Sequence, residues 1–93
     1  MHGYSIDKDD YLVRLCKIEG QVRGLQRMID DDTYCIDIIT QIASVTGALH
    51  GVALGLVNQH LHHCVIQAAT TSDDAGAAKL TEATRAIERL LRT

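Results

Sequence analysis

The chain contains no proline, and its apolar residues recur at three- and four-residue steps from one end to the other. Proline would end a helix by ring clash and a missing N–H, and strands would need apolar residues at every second position. Neither occurs, so the sequence predicts an all-α chain. In the first segment Leu15, Ile18, Val22, Leu25 and Ile29 form the seam of a helix lying nearly parallel to another, over about residues 7–31. The run Asp30-Asp31-Asp32-Thr33 reads as a break, with Asp32 or Thr33 as N-cap of the next helix. That helix is expected to be long, about 34–69. At about 100° per residue, Cys35, Ile39, Ile42, Thr46, Leu49, Ala53 and Val57 stay within about 40° of one line. This is the expected core stripe. Gly47, Gly51 and Gly55 lie opposite it, as sites of close approach or of a bend. Residues 70–76 (TTSDDAG) read as a polar linker. A last helix, about 76–92, carries Leu80, Ala83, Ile87, Leu90 and Leu91 on one face. There is no repeat, and residues 1–93 read as one domain.

A chain of 93 residues without Phe or Trp has only a thin aliphatic core, and oligomerisation is the usual remedy at that size. A dimer or larger assembly is expected. The formal charge of −3 lowers a composition-based expectation of nucleic-acid binding and leaves the matter to the local distribution of Lys and Arg. The opening, residues 1–10, is polar and acidic, unlike a secretory signal. The most apolar stretch, residues 43–57, is too short for a bilayer core of roughly 30 Å. A soluble cytoplasmic protein without membrane contact is therefore expected. Its three cysteines, an odd number, read as thiols or ligands.

His60 and Cys64 are four apart and share a helix face. A packed thiol and imidazole would look the same, but Cys35 falls on the same stripe. At about 1.5 Å per residue, roughly 37 Å of helix separates Cys35 from His60, so one straight helix cannot bring both to a single ion. Two antiparallel copies would set Cys35 of one chain beside His60 and Cys64 of the other, giving two equivalent sites about a two-fold axis. Two thiolates and an imidazole are soft donors that favour Cu(I) and zinc over nickel, manganese or magnesium. Structural zinc normally takes four protein ligands, so three suit Cu(I) better.

The stretches RLCKIEGQVRGLQRMIDDD, TYCIDIITQIASVTGAL and HLHHC resemble the copper-sensitive operon repressors, over about residues 4–92. The resemblance implies a three-helix protomer, an antiparallel four-helix-bundle dimer and a dimer of dimers. It also implies repression in the apo form and release from operator DNA (G/C-rich and pseudo-palindromic) when Cu(I) occupies a trigonal Cys35, His60, Cys64 site, so that copper-efflux and copper-resistance genes are derepressed. Tyr34 and Glu82 match the residues that orient the ligating imidazole. Nickel and cobalt sensors of the same superfamily carry His where Cys64 stands.

No helix-turn-helix is visible. Arg14, Lys17 and Gln21 share one flank of the first helix and match the DNA-facing surface of the family. Arg23 and Arg27 lie on the outer face, with Glu19 and Asp31 as expected ion-pair partners and with phosphate as a further contact. Cys16 stands where relatives often carry a basic residue, and Gly51 where some carry arginine, which implies fewer phosphate contacts. His62 is expected to point away from the site, His63 to be exposed rather than to compete as a ligand, which its offset would also allow, and His50 to be partly buried. His2 could serve an N-terminal nickel-type site, against which Cys64 argues. No catalytic constellation is present. Two alternatives stay open: a copper-buffering bundle that never meets DNA, and a thiol- or persulfide-responsive repressor, against which His60 stands.

Overall fold

The computed structural model describes residues 7–92, so His2 lies outside the described residues. The elements are α1 (Lys8–Asp30), α2 (Cys35–Gln59), a π-helical segment (His60–Val65), α3 (Ile66–Thr71) and α4 (Asp73–Leu91). No strand occurs among the described residues. From Cys35 to Thr71 the helix is unbroken, so the chain is all-α with three continuous helical rods, as expected. It divides into two compact units, Lys8–Ala53 and residues 54–92 together with Asp7.

In the first unit, α1 ends in a paired-hydrogen-bond cap. The Thr33 amide donates to the Met28 carbonyl at 2.9 Å and the Asp32 amide to the Ile29 carbonyl at 3.2 Å. Asp32 occupies the left-handed region, with φ 54°, which is the usual geometry of this C-terminal motif. Asp32 therefore closes α1 and does not open α2, which corrects the expected N-cap. Instead the Tyr34 carbonyl accepts the first α2 hydrogen bonds, from Asp37 at 3.0 Å and Ile38 at 3.3 Å.

The core of this unit is formed by Tyr11, Ile18, Val45 and Val52, with Leu25 and Ala48 packed against it. Tyr11, Ile18 and Leu25 recur every seven residues on α1, as do Ile38, Val45 and Val52 on α2, all three buried. Seven-residue recurrence is the narrow seam of two helices in nearly parallel contact. The expected seams were broader and partly misplaced. Leu15, Val22 and Ile29 are exposed, and so are Ile39, Ile42 and Leu49 of the Cys35 stripe. One intrachain partner can cover only one seam, about 80° around α2 from that stripe, and the remaining apolar arc faces outward. Among the described residues no side chain is completely buried.

The same outward arc corrects the length argument for membranes. The rod Cys35–Thr71 is long and apolar enough to cross a bilayer by length and composition. The reason is that residues 43–57 are flanked by uncharged residues on both sides. Neither Gly47 nor Gly51 lies against another part of the chain, since a Cβ at either would meet nothing within 4 Å.

In the second unit, the expected polar linker shrinks to one residue. Ser72 is extended, at φ −164° and ψ 157°, and its side chain accepts from the Ala75 amide at 3.0 Å. Asp73 and Asp74 follow in the first turn of α4, where carboxylates complement the helix dipole. A strong cap lets α4 start three residues before the expected position. Gly76 and Ala83 are buried on the inner face of α4. Leu80 and Leu91 of the expected face are exposed.

Candidate metal centre and nucleic-acid face

Cys35 is the first residue of α2 and is exposed, whereas His60 and Cys64 are half-buried and both lie in the π segment. A π turn bonds i to i+5, and such insertions occur frequently at functional sites. The extra residue per turn shifts the helical phase from His60 onward, so the stripe extrapolated from Cys35 does not continue in simple α register. Nothing in HLHHC announced this, because π turns have no propensity signature comparable to a cap.

His60 Nε2 lies 3.0 Å from the main-chain oxygen of Lys79. A carbonyl can only accept, so Nε2 carries the hydrogen, and in the neutral imidazole Nδ1 then keeps the lone pair that could bind metal. Cys16, Cys35 and Cys64 are free thiols. The chemistry of the donor set, two thiols and an imidazole nitrogen with its lone pair available, fits a soft monovalent ion. Among the described residues no group of three or more His, Cys, Asp or Glu side chains comes together. Cys35 belongs to the first compact unit, His60 and Cys64 to the second.

Glu82 is exposed and stands 3.6 Å from Lys79 Nζ, and Tyr34 is exposed. The polar group that meets the His60 ring is the Lys79 carbonyl, a main-chain atom that side-chain identity does not reveal. His62 and Cys16 are exposed, whereas His63 is half-buried, which corrects its expected exposure: the π segment that contains it departs from the α register used to place it. His50 is exposed, which corrects its expected partial burial: it lies outside the single seam that α1 covers.

On α1, Arg14, Lys17 and Gln21 line an open cleft of about 330 Å³ with Ile18, Ala48 and Gly51. The expected basic flank thus opens toward the position where arginine is missing. Arg14 Nε pairs with Asp10 Oδ2 at 3.3 Å, a partner four residues back that the sequence could have suggested. Arg23 Nη1 pairs with Glu19 Oε1 at 2.7 Å, as expected. Arg27 makes no ion pair with Asp31 among the described residues. Its guanidinium lies back over Gly24, where an added Cβ would be 3.8 Å from Nη2. Long helical side chains lean toward the N-terminus, so an acid four residues earlier is reachable and one four residues later is poorly placed. Arg27 instead lines a second cleft of about 390 Å³ with Gln21, Met28 and Gln41.

An all-helical chain that carries soft metal donors on one rod and a cationic flank on another has the parts of a metal-responsive regulator of DNA. The comparison with known proteins gives the family. The metal-sensitive transcriptional repressor profile matches residues 7–89, and the chain belongs to that family. It is 52% identical over 92 residues to the copper-sensing transcriptional repressor RicR of Mycobacterium tuberculosis, covering 99% of this chain and 96% of that protein. With the copper-sensing transcriptional repressor CsoR of Bacillus subtilis it shares 49% identity over 72 residues, 77% of this chain and 71% of that one. The crystal structure of the copper-sensing repressor CsoR with Cu(I) from Geobacillus thermodenitrificans superposes with a TM-score of 0.81 at 38% identity, covering 89% of this chain and 84% of that chain. Proteins of this family are transcriptional repressors, which act on DNA.

Proposed function

We propose that this chain is a cytoplasmic Cu(I)-responsive repressor that binds operator DNA in its apo form and leaves it when Cu(I) is bound, derepressing copper-efflux and copper-resistance genes. The observation that carries this reading is the donor set Cys35, His60 and Cys64, with the His60 Nδ1 lone pair left available by the bond from Nε2 to the Lys79 carbonyl. Residues 1–93 act as one functional domain, in an antiparallel four-helix-bundle dimer and a tetramer built from dimers. The exposed face of α2 with Ile39, Ile42 and Leu49 supports such pairing, because a second copy would cover the apolar arc that α1 leaves open. Cys35 of one chain would then join His60 and Cys64 of another.

Arg14, Lys17 and Gln21 would meet the phosphate backbone of a G/C-rich, pseudo-palindromic operator, with Arg23 and Arg27 at the margin. When bound, Cu(I) supplies soft coordination that favours the DNA-free arrangement of the helices. An effector that weakens DNA binding must itself bind less tightly to the DNA complex, by the same factor. Tyr34, next to Cys35 in the chain, and Glu82, paired with Lys79, would transmit part of that coupling.

The test is operator affinity at one fixed salt concentration, apo and with Cu(I). A coupling of about 1–3 kcal/mol corresponds to roughly 5–150-fold weaker binding with copper. Failure of the apo protein to bind any such promoter fragment, with Cu(I) binding intact, would favour a copper-buffering bundle. Release by persulfide but not by Cu(I) would favour the thiol-responsive alternative.

A further inference from the structure

Gly76 and Ala83 are the buried positions of α4, and Lys79 lies between them on the same helix face. Two small residues flanking Lys79 let the α4 backbone come close to α3 and the π segment. The approach at Gly76 is tight: a Cβ there would lie 2.8 Å from Ala69 Cβ and 3.0 Å from Ala69 Cα. Ordinary carbon contacts are about 3.5–4.0 Å, and two of the three crowded Ala69 atoms, Cα and N (3.3 Å), are main chain, so no side-chain rotation relieves it. One turn further along α4, the Lys79 carbonyl reaches His60 Nε2 at 3.0 Å. An oxygen inside a helix has a second lone pair beyond the one used by its own helical bond, and here the imidazole takes it.

We infer that Gly76 is a positioning residue for His60: its missing side chain sets the α4 approach that holds the imidazole with hydrogen on Nε2 and the lone pair on Nδ1. A methyl group at residue 76 must push α4 back by about 0.7 Å or more to reach ordinary contact. A comparable retreat at Lys79 takes the His60 bond past about 3.5 Å, where it ceases to be a hydrogen bond. The imidazole then loses its fixed tautomer and orientation. Such outer partners typically account for 10–100-fold in metal affinity. This inference rests on the Cu(I) reading for its metal consequence, but not for the tautomer, which is a property of the metal-free chain.

The experiment is ¹⁵N NMR of the His60 ring in the metal-free, full-length protein, at a pH where the imidazole is neutral, combined with Cu(I) affinity measured against a chromophoric chelator. The unmodified protein is expected to show hydrogen on Nε2; a ring protonated mainly on Nδ1 overturns the proposal without any variant. Gly76→Ala should give mixed tautomers and Cu(I) binding 10–100-fold weaker. Ala69→Gly/Gly76→Ala, which removes the nearest clashing atom, should recover part of both, and it replaces the single variant if that does not fold. A folded variant with an unchanged tautomer and affinity within about twofold overturns the assignment. If the unmodified protein binds no Cu(I), the proposed function fails while the ring spectrum still decides the role of Gly76.

Discussion

Arg14 Nε lies 3.3 Å from Asp10 Oδ2, one helical turn back, with both side chains more than half exposed. The cation expected to meet DNA is thus already engaged, though weakly, since exposed pairs contribute about 0.2–1 kcal/mol. Asp10→Asn frees Arg14 and removes a negative charge from the same flank. Operator affinity of the apo form should rise by up to about fivefold, and the gain should fade as salt is raised. Fluorescence anisotropy at two salt concentrations checks it; unchanged affinity at low salt places Arg14 away from the phosphates.

Gly51 lines the cleft that holds Arg14 and Lys17, and a Cβ there meets nothing within 4 Å. Gly51→Arg should therefore fold without strain, and it removes a helix-interior glycine worth up to about 1 kcal/mol. If the cleft faces DNA, the added cation should steepen the slope of log affinity against log salt by about 0.9. A higher melting temperature with an unaltered slope would separate the stability gain from DNA contact.

The proposed donors lie in different compact units, Cys35 in one and His60 with Cys64 in the other. Cys35→Ala alone and His60→Ala/Cys64→Ala alone should each lose tight Cu(I) binding. Mixed dimers of the two variants should recover one site of two, read as half the copper stoichiometry. Mixed dimers that recover none would show that the donors do not come from two chains.

Cys64→His exchanges one soft donor for a borderline one. The preference for Cu(I) over nickel should narrow, measured by competition against chelators for each metal. Cys16→Ser, on an exposed thiol of α1, is the control and should leave both affinities within about twofold.

Two local features make stability predictions independent of metal. Ser72→Ala removes the side-chain acceptor of the Ala75 amide and should cost about 1 kcal/mol. Asp32→Val places a β-branched residue at φ 54° and should cost about 1–2 kcal/mol, whereas Asp32→Gly should be neutral or mildly stabilising. Denaturant midpoints of the three variants check the order.

Most of the fold was legible because helical spacing and the absence of proline leave few alternatives. The three rods follow from it, and α1 ends within a residue of its expected bounds. Burial was less legible. Periodicity marks which positions are apolar but not which apolar arc a given partner covers, so the Cys35 stripe predicts Ile39, Ile42 and Leu49 for a core that Ile38, Val45 and Val52 occupy. The start of α4 lies in Ser72-Asp73-Asp74, whose polarity also fits a linker and so hides the cap. Four-residue spacing alone predicts an Arg27–Asp31 pair that the N-terminal lean of the side chain does not allow, while Arg23–Glu19 satisfies both spacing and direction. For the candidate site, the donors were legible as residue types. The π turn and the Lys79 carbonyl were not, because one has no sequence signature and the other is main chain.

That no side chain among the described residues is completely buried has a consequence for abundance. A protomer whose widest apolar arc lies outside its own fold draws stability from association, and association obeys mass action. Under the oligomeric reading, dilution alone would lower the thermal midpoint, and the unpaired newly made chain would be the form most open to proteolysis. The amount of folded repressor in a cell would then rise more steeply than its rate of synthesis, giving a regulator that is scarce at low expression and persistent once its partners are plentiful.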